Sequence, residues 1–219
     1  MTAFPIILSA PSGAGKTTIA KSLLSQRSDI GYSVSCTTRE PRSGEIPGED
    51  YYFLTRTEFL KKRDLGEFAE SAEVHGNLYG TLRSEVLKVI GTGRHVLMDI
   101  DVQGASQFTK FFPQSVTIFI LPPSAEVLFE RLRKRQTETP RELANRLQSA
   151  LQELQSVDEY EYVVINDDLD QAIRRIGSII DAEVSSRERV AGLRTQVALL
   201  IDHLEREIES RTNGEGQKK

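Results

Sequence analysis

Short apolar runs rich in β-branched residues recur along the chain at 6–8, 32–36, 95–100, 116–121 and 162–165, each bounded by polar or turn-forming residues. Runs of this length suit strands covered on both faces, as in a parallel sheet. Between most of them the apolar positions return every three or four residues, which predicts helices over 16–26, 57–64, 83–90, 102–111, 125–135, 141–156 and 170–184. Thr57 before Glu58 and Ser124 before Ala125-Glu126 read as helix caps, and Thr139-Pro140 places proline at a first helical position. Pro122-Pro123 stops the fourth run abruptly. Strands alternating with helices predict an α/β fold, a parallel sheet with helices on both faces.

Two stretches depart from that rhythm. Between 37 and 81 the alternation gives way to a glycine-, proline- and tyrosine-rich segment with a helix in its middle, which reads as a small lobe inserted between the first two βα units. Near the end, Leu193, Val197, Leu200, Leu204 and Ile208 form one apolar stripe on a long charged helix, before a polar tail over 212–219. Such a stripe either docks on its own domain or pairs with a second copy to give a homo-oligomer. The expected partition is a core of 1–36, 82–130 and 147–186, a lobe of 37–81, a lid of 131–146 and a C-terminal helix and tail from 187 to 219.

At 219 residues, with 38% apolar and 27% charged positions, the chain is long enough for one sizeable core and short for two. No apolar run reaches the length of a membrane span and no basic-then-apolar leader opens the chain, so no membrane partner and a cytoplasmic location are expected. Cys36 is the single cysteine and reads as a small buried hydrophobe. A net charge of −4 argues against broad binding to nucleic acid. An anionic ligand must then be met by a local group of arginines.

Candidate chemistry begins at Ala10-Pro11-Ser12-Gly13-Ala14-Gly15-Lys16-Thr17-Thr18, which follows a buried-strand pattern and opens a helical one. Strand, glycine loop and helix in that order cradle a polyphosphate: loop N–H groups and the helix N-terminus face the anion, Lys16 reaches the terminal phosphates and the Thr17 hydroxyl ligates Mg²⁺. The fold expected is therefore of the P-loop NTPase type. Ala10 stands where the standard motif has glycine.

The inserted lobe opens with Thr37-Thr38-Arg39, then Arg42, Glu45, Gly48, Tyr51 and Phe53. Guanidinium forks beside hydroxyls suit phosphate oxygens. At these spacings the set resembles the nucleoside-monophosphate motif of the guanylate kinases. The resemblance runs from Ile6 to about Asp181: Phe68-Ala69-Glu70 is similar to the segment whose glutamate reads guanine, Gly76-Asn77-Leu78-Tyr79-Gly80-Thr81 to the rest of the GMP pocket, and Asp99-Ile100-Asp101-Val102-Gln103-Gly104 to the acidic strand end. Arg131, Arg135 and Arg146 resemble the lid arginines, with Gln136 where the family usually has glycine, and Asn166-Asp167-Asp168 resembles the adenine-side loop.

The resemblance implies an ATP:GMP phosphotransferase with a small mixed GMP-binding lobe, a helical lid, and Mg²⁺ with ATP as phosphoryl donor. It implies GMP, and dGMP with it, as acceptor. Ala10 to Thr18 and Asn166 would bind ATP. Ser35, Arg39, Arg42, Tyr51, Glu70, Tyr79, Thr81, Asp99 and Asp101 would bind GMP. Lys16, Arg39, Arg42, Arg131, Arg135 and Arg146 would carry catalysis, with Thr17 on Mg²⁺ and Asp99 in its outer shell. The chemistry agrees: guanine offers N1–H and an exocyclic amine as adjacent donors and O6 as acceptor, so carboxylates such as Glu70 and Asp101 beside a donor such as Ser35 suit it. Adenine reverses that pattern, and sites of this kind discriminate by ~10⁴-fold or more. His75 reads as a solvent-facing residue. Two alternatives remain: a P-loop kinase for another small acceptor, and a non-catalytic guanylate-kinase-like module that binds phosphorylated peptides.

Overall fold

The computed structural model describes residues 2–74, 76–133 and 140–215, and its contacts divide the chain into one unit of 3–179 and another of 1–2 with 180–219. The order of elements is β1 (Pro5–Ser9), α1 (Lys16–Gln26), β2 (Ile30–Tyr32), β3 (Ser35–Thr37), β4 (Tyr51–Phe53), α2 (Arg56–Asp64), β5 (Phe68–Val74), β6 (Asn77–Leu82), α3 (Arg83–Gly91), β7 (His95–Asp99), α4 (Val102–Phe111), β8 (Val116–Leu121), α5 (Ala125–Arg133), α6 (Pro140–Gln155), β9 (Tyr162–Ile165), α7 (Leu169–Val184) and α8 (Leu193–Glu215).

Five strands pair in the order β2-β7-β1-β8-β9, all parallel. The chain crosses one way from β1 to β2 and the other way from β7 to β8, so right-handed crossovers put α1 and α4 on opposite faces. Ile7, Val96 and Met98 meet Val86, Val89, Ala105 and Phe108 of α3 and α4 on one side. Ile6, Leu8 and Leu97, which alternate with them, are equally buried, as are Ile19 and Leu23 of α1. Burial on both faces is why these strands read as unbroken apolar runs. α5 and α6 pair separately through Leu128, Leu132 and Ala150, with Leu143, Leu147 and Leu154 at the edge of the cluster.

The lobe is a second sheet, ordered β4-β3-β6-β5, with β3 and β4 parallel and the other pairs antiparallel. Its own core is Cys36, Phe59, Phe68 and Leu78, with the two phenyl rings stacked 4.4 Å apart. Gly80 permits this packing, since a Cβ there would sit 2.9 Å from the Glu70 carbonyl and 3.0 Å from both rings. None of the apolar runs marks β4, β5 or β6 as strands.

Two expectations need correction. The run 32–36 is not one strand: the chain leaves the large sheet after Tyr32, which pairs with Leu97, and enters the lobe sheet at Ser35, which pairs with Tyr51. The cap of α2 is Thr55 and not Thr57; its hydroxyl accepts from Glu58 N–H while Glu58 accepts from the Thr55 N–H at 2.8 Å, a reciprocal box. The sequence places Thr57 closer to Glu58, but only Thr55 has the three-residue spacing that box requires.

In the other unit, Val197, Leu200, Leu204 and Ile208 of α8 are exposed, and Asp202–Arg206 and Glu207–Arg211 pair along the helix. No helix among the described residues is long and apolar enough to cross a membrane.

Removing the α2 cap tests the local argument: Thr55→Ala should cost about 1 kcal/mol in urea unfolding, and an unchanged midpoint would show that the box contributes nothing.

Candidate active site

The phosphate loop joins β1 to α1 with Gly13 and Gly15 at φ 90° and 96°, a region open to glycine and costly for other residues. Gly15 is also confined in space, because a Cβ there would lie 2.6 Å from Asn166 Nδ2, which donates to the Ala14 carbonyl at 2.7 Å. Neither a side-chain cap nor an acidic residue stands at the start of α1, so no side chain there competes with an anion for its first N–H groups. Ala10 and Pro11 are buried at the base of the loop, and Thr18 lies beside Thr17 on the exposed side.

Lys16 pairs with Asp99 at 2.8 Å and donates to the Ile100 carbonyl at 2.9 Å. The Thr17 hydroxyl donates to the other Asp99 oxygen at 2.9 Å. Arg131 of α5 reaches the carbonyls of Ala14 and Asn166 at 3.5 and 3.4 Å, and Arg146 of α6 donates to Ser12 Oγ at 2.9 Å. Arg135 and His75 lie outside the described residues. Sequence reasoning missed Glu153, whose carboxylate accepts from the Ser12 N–H at 3.1 Å across 141 positions of chain. Partial burial holds its carboxyl above the usual range. No local pattern could have shown that contact.

Facing the loop is a cavity of about 180 Å³ whose lining includes Ser35, Tyr51, Glu70, Tyr79, Asp99 and Asp101. Six residues predicted from separate motifs thus line one cavity. Thr81, predicted with them, stands just behind: it donates to Glu70 Oε1 at 2.7 Å, and its oxygen lies 3.1 Å from Ser35 Oγ. With the threonine proton given to Glu70, Ser35 is the donor of the second bond, so the hydroxyl expected to meet a base carbonyl here supports Thr81. Glu70 is only 6% exposed, and burial raises its carboxyl to about 7, helped by the negative charge of Asp101. Asp101 also caps α4, accepting from Gly104 N–H at 2.7 Å.

The arginines differ. Arg39 forks onto Glu45 through bonds of 3.0 and 2.8 Å and lies over the rings of Tyr51 and Phe53. This pairing raises the guanidinium pKa. Tyr51 meets Tyr79 edge-on at 6.1 Å between centroids. Arg42 is exposed, and its backbone N–H donates to Glu45. Glu45, read only as part of the motif, organises both arginines.

The guanylate kinase family model matches residues 2–183. The chain belongs to the guanylate kinase family. It is 47% identical over 197 residues to a guanylate kinase of Chelativorans sp. (strain BNC1), covering 90% of each chain. It is 46% identical over 185 residues to one from Clostridium perfringens (strain SM101 / Type A), covering 84% of this chain and 86% of the relative. Among solved structures, the crystal structure of guanylate kinase from Anaplasma phagocytophilum superposes with a TM-score of 0.73 at 38% identity, covering 89% of this chain and 93% of that one. This guanylate kinase family member therefore shares fold and sequence with its relatives over nearly all of the unit of 3–179.

Because Glu70 ionises less readily in the folded chain, at about 7, than in an unfolded chain near 4.3, its charge opposes folding. That cost is absent below the unfolded value, grows between the two and is complete above about 7. Glu70→Gln should therefore raise the melting temperature at pH 8 and leave it unchanged at pH 4; equal shifts at both would contradict the buried-charge account.

Proposed function

We infer that the protein transfers the γ-phosphoryl group of ATP to GMP, giving ADP and GDP, with dGMP accepted as well. The observation that carries this reading is the buried carboxylate of Glu70, oriented by Thr81, in a cavity whose lining includes Asp99, the partner of Lys16. A carboxylate pair from Glu70 and Asp101 answers the two adjacent donors of guanine. Adenine would put a lone pair against them. The intact Gly15-Lys16-Thr17 argues against a module that binds phosphopeptides alone.

In this reading the loop from Ala10 to Thr18 and Asn166 hold ATP, and Lys16 exchanges Asp99 for the β- and γ-phosphate oxygens. Arg39, Arg42, Tyr51 and Tyr79 fix the acceptor phosphate, and Glu45 keeps the Arg39 fork aimed. Ser35 and Thr81 orient Glu70. The acceptor oxygen bonds to the γ-phosphorus as the bond to the β,γ-bridging oxygen breaks, and that oxygen leaves on ADP. A phosphate monoester is already ionised near neutral pH, so no general base is needed. Arg131, Arg135 and Arg146 of the lid region offset the charge on the transferring group, and closure of the lid excludes water.

Mg²⁺ fits the residues present. The Thr17 hydroxyl is held by Asp99, and no cluster of three or more acidic, histidine or cysteine side chains that could hold a metal occurs among the described residues. That donor set suits an ion carried largely by nucleotide phosphates and water, with Thr17 as direct ligand and Asp99 behind it. When bound, the ion neutralises phosphate charge. A cytoplasmic location and small-molecule substrates, with neither nucleic acid nor membrane as partner, complete the reading. The exposed stripe of α8 supports self-association.

A coupled assay of ADP formation with GMP, dGMP, AMP, CMP and UMP should give turnover with the two guanine nucleotides only, and a preference for another base would overturn the reading. In the same assay Lys16→Ala should lower kcat by about 10³-fold or more while calorimetry finds GMP affinity little changed. For self-association, light scattering should show a mass above 24.5 kDa that falls to the monomer value when residues 187–219 are deleted; an unaltered oligomeric state would exclude the α8 stripe.

A further inference from the structure

We propose that Gln107 of α4, acting with Gly104 one turn before it, is the positioning residue that sets the guanine-reading carboxylate of Glu70 and so tunes base specificity. The proposal rests on the guanylate kinase reading and adds residues to which the acceptor motif assigns no role.

β5 is an edge strand of the lobe sheet, so one side of its backbone has no strand partner. At Ser71, the residue next to Glu70, that edge is closed by a side chain. Gln107 Oε1 accepts from the Ser71 N–H at 3.2 Å, and Gln107 Nε2 donates to the Ser71 carbonyl at 3.1 Å. A primary amide bonded to both backbone groups of one residue reproduces the two-point contact of a neighbouring strand. It joins the lobe to the core beside the carboxylate that must be placed.

Gly104 is an independent constraint on the same group. A Cβ there would lie 3.0 Å from Glu70 Oε2 and 3.4 Å from its Cδ, so the carboxylate rests directly on the helix backbone. The register of β5 on β6 shifts between Phe68 and Glu70, and this irregularity brings Glu70 opposite Thr81. Thr81 then holds one carboxylate oxygen, the bare surface at Gly104 receives the other, and Gln107 pins the adjoining backbone.

The consequence for specificity is geometric. Asp101 caps the same helix that carries Gln107, so the two carboxylates offered to guanine belong to different parts of the fold, Glu70 to the lobe and Asp101 to the core. Their separation must match the spacing of N1–H and the exocyclic amine. Gln107 is the hydrogen-bonded strut between the elements that bear them. A displacement of about 1 Å at such a site can cost up to ~100-fold.

The test uses full-length protein with Gln107→Leu, which keeps bulk and removes both bonds. The expected result is a KM for GMP raised about tenfold with kcat and the KM for ATP little changed. Discrimination between GMP and IMP, which lacks the exocyclic amine, should fall by about fivefold. The pH below which GMP binding weakens should also move down, because water reaches Glu70 once β5 leaves α4. The charged groups facing Glu70, Asp101 from α4 and Lys16 from α1, are untouched by the substitution. Gly104→Ala should reproduce the GMP effect from the other constraint, and it decides the matter if Gln107→Leu does not fold. An unchanged GMP/IMP ratio and pH midpoint, or equal losses for GMP and ATP, would overturn the proposal. Failure of the wild-type protein to phosphorylate GMP would instead overturn the reading beneath it.

Discussion

The carboxylate of Asp99 ties Lys16 to Thr17 at the end of β7, and that joint depends on the register of two parallel strands. Leu8 pairs with Asp99, so the strand that runs into the phosphate loop ends level with the strand that carries the acid. Open α/β sheets gather ligands at the carboxyl ends of their strands because helix N-termini and strand-end side chains converge there. Here the neighbour of β7 on its other side is β2, from which the chain enters the lobe. One side chain thus sits between the loop and the cavity of about 180 Å³ that it also lines.

Charge is arranged locally against the trend of the whole. The chain carries −4 overall, yet Arg131 and Arg146 both reach the phosphate loop, and Arg39 is paired with Glu45 and lies over Tyr51 of the cavity lining. The acids nearby have distinct environments. Asp99 is paired with a lysine, Asp101 is bonded to a helix N–H, and Glu70 is buried against Thr81. Burial decides for Glu70, because the neutral donors of Thr81 do not repay the loss of hydration.

What was legible in the chain was what is local in sequence. The phosphate loop and the parallel core are written in consecutive residues, and strands buried on both faces announce themselves by composition alone. The lobe strands β5 and β6 were hidden because only part of each is buried and polar residues stand at the site: Glu70 and Tyr79 line the cavity and Thr81 bonds to Glu70 behind it, at the expense of an apolar alternation. The break after Tyr32 was invisible because strands in two different sheets are joined there without glycine or proline. Glu153 and Gln107 escaped for another reason. Each is an ordinary polar residue on a helix whose partner is a backbone group brought near only by folding.

The lobe leaves the core at Ser33-Val34 and returns where β6 passes into α3 with no intervening residue between Leu82 and Arg83. Besides these two crossings, the Gln107 clamp and Ala69 of β5, buried with residues of β1, β7, α3 and α4, hold the lobe to its support. In mechanical terms the lobe is a leaf joined along one side, and the Gln107 latch sits beside the very group that must keep its seat.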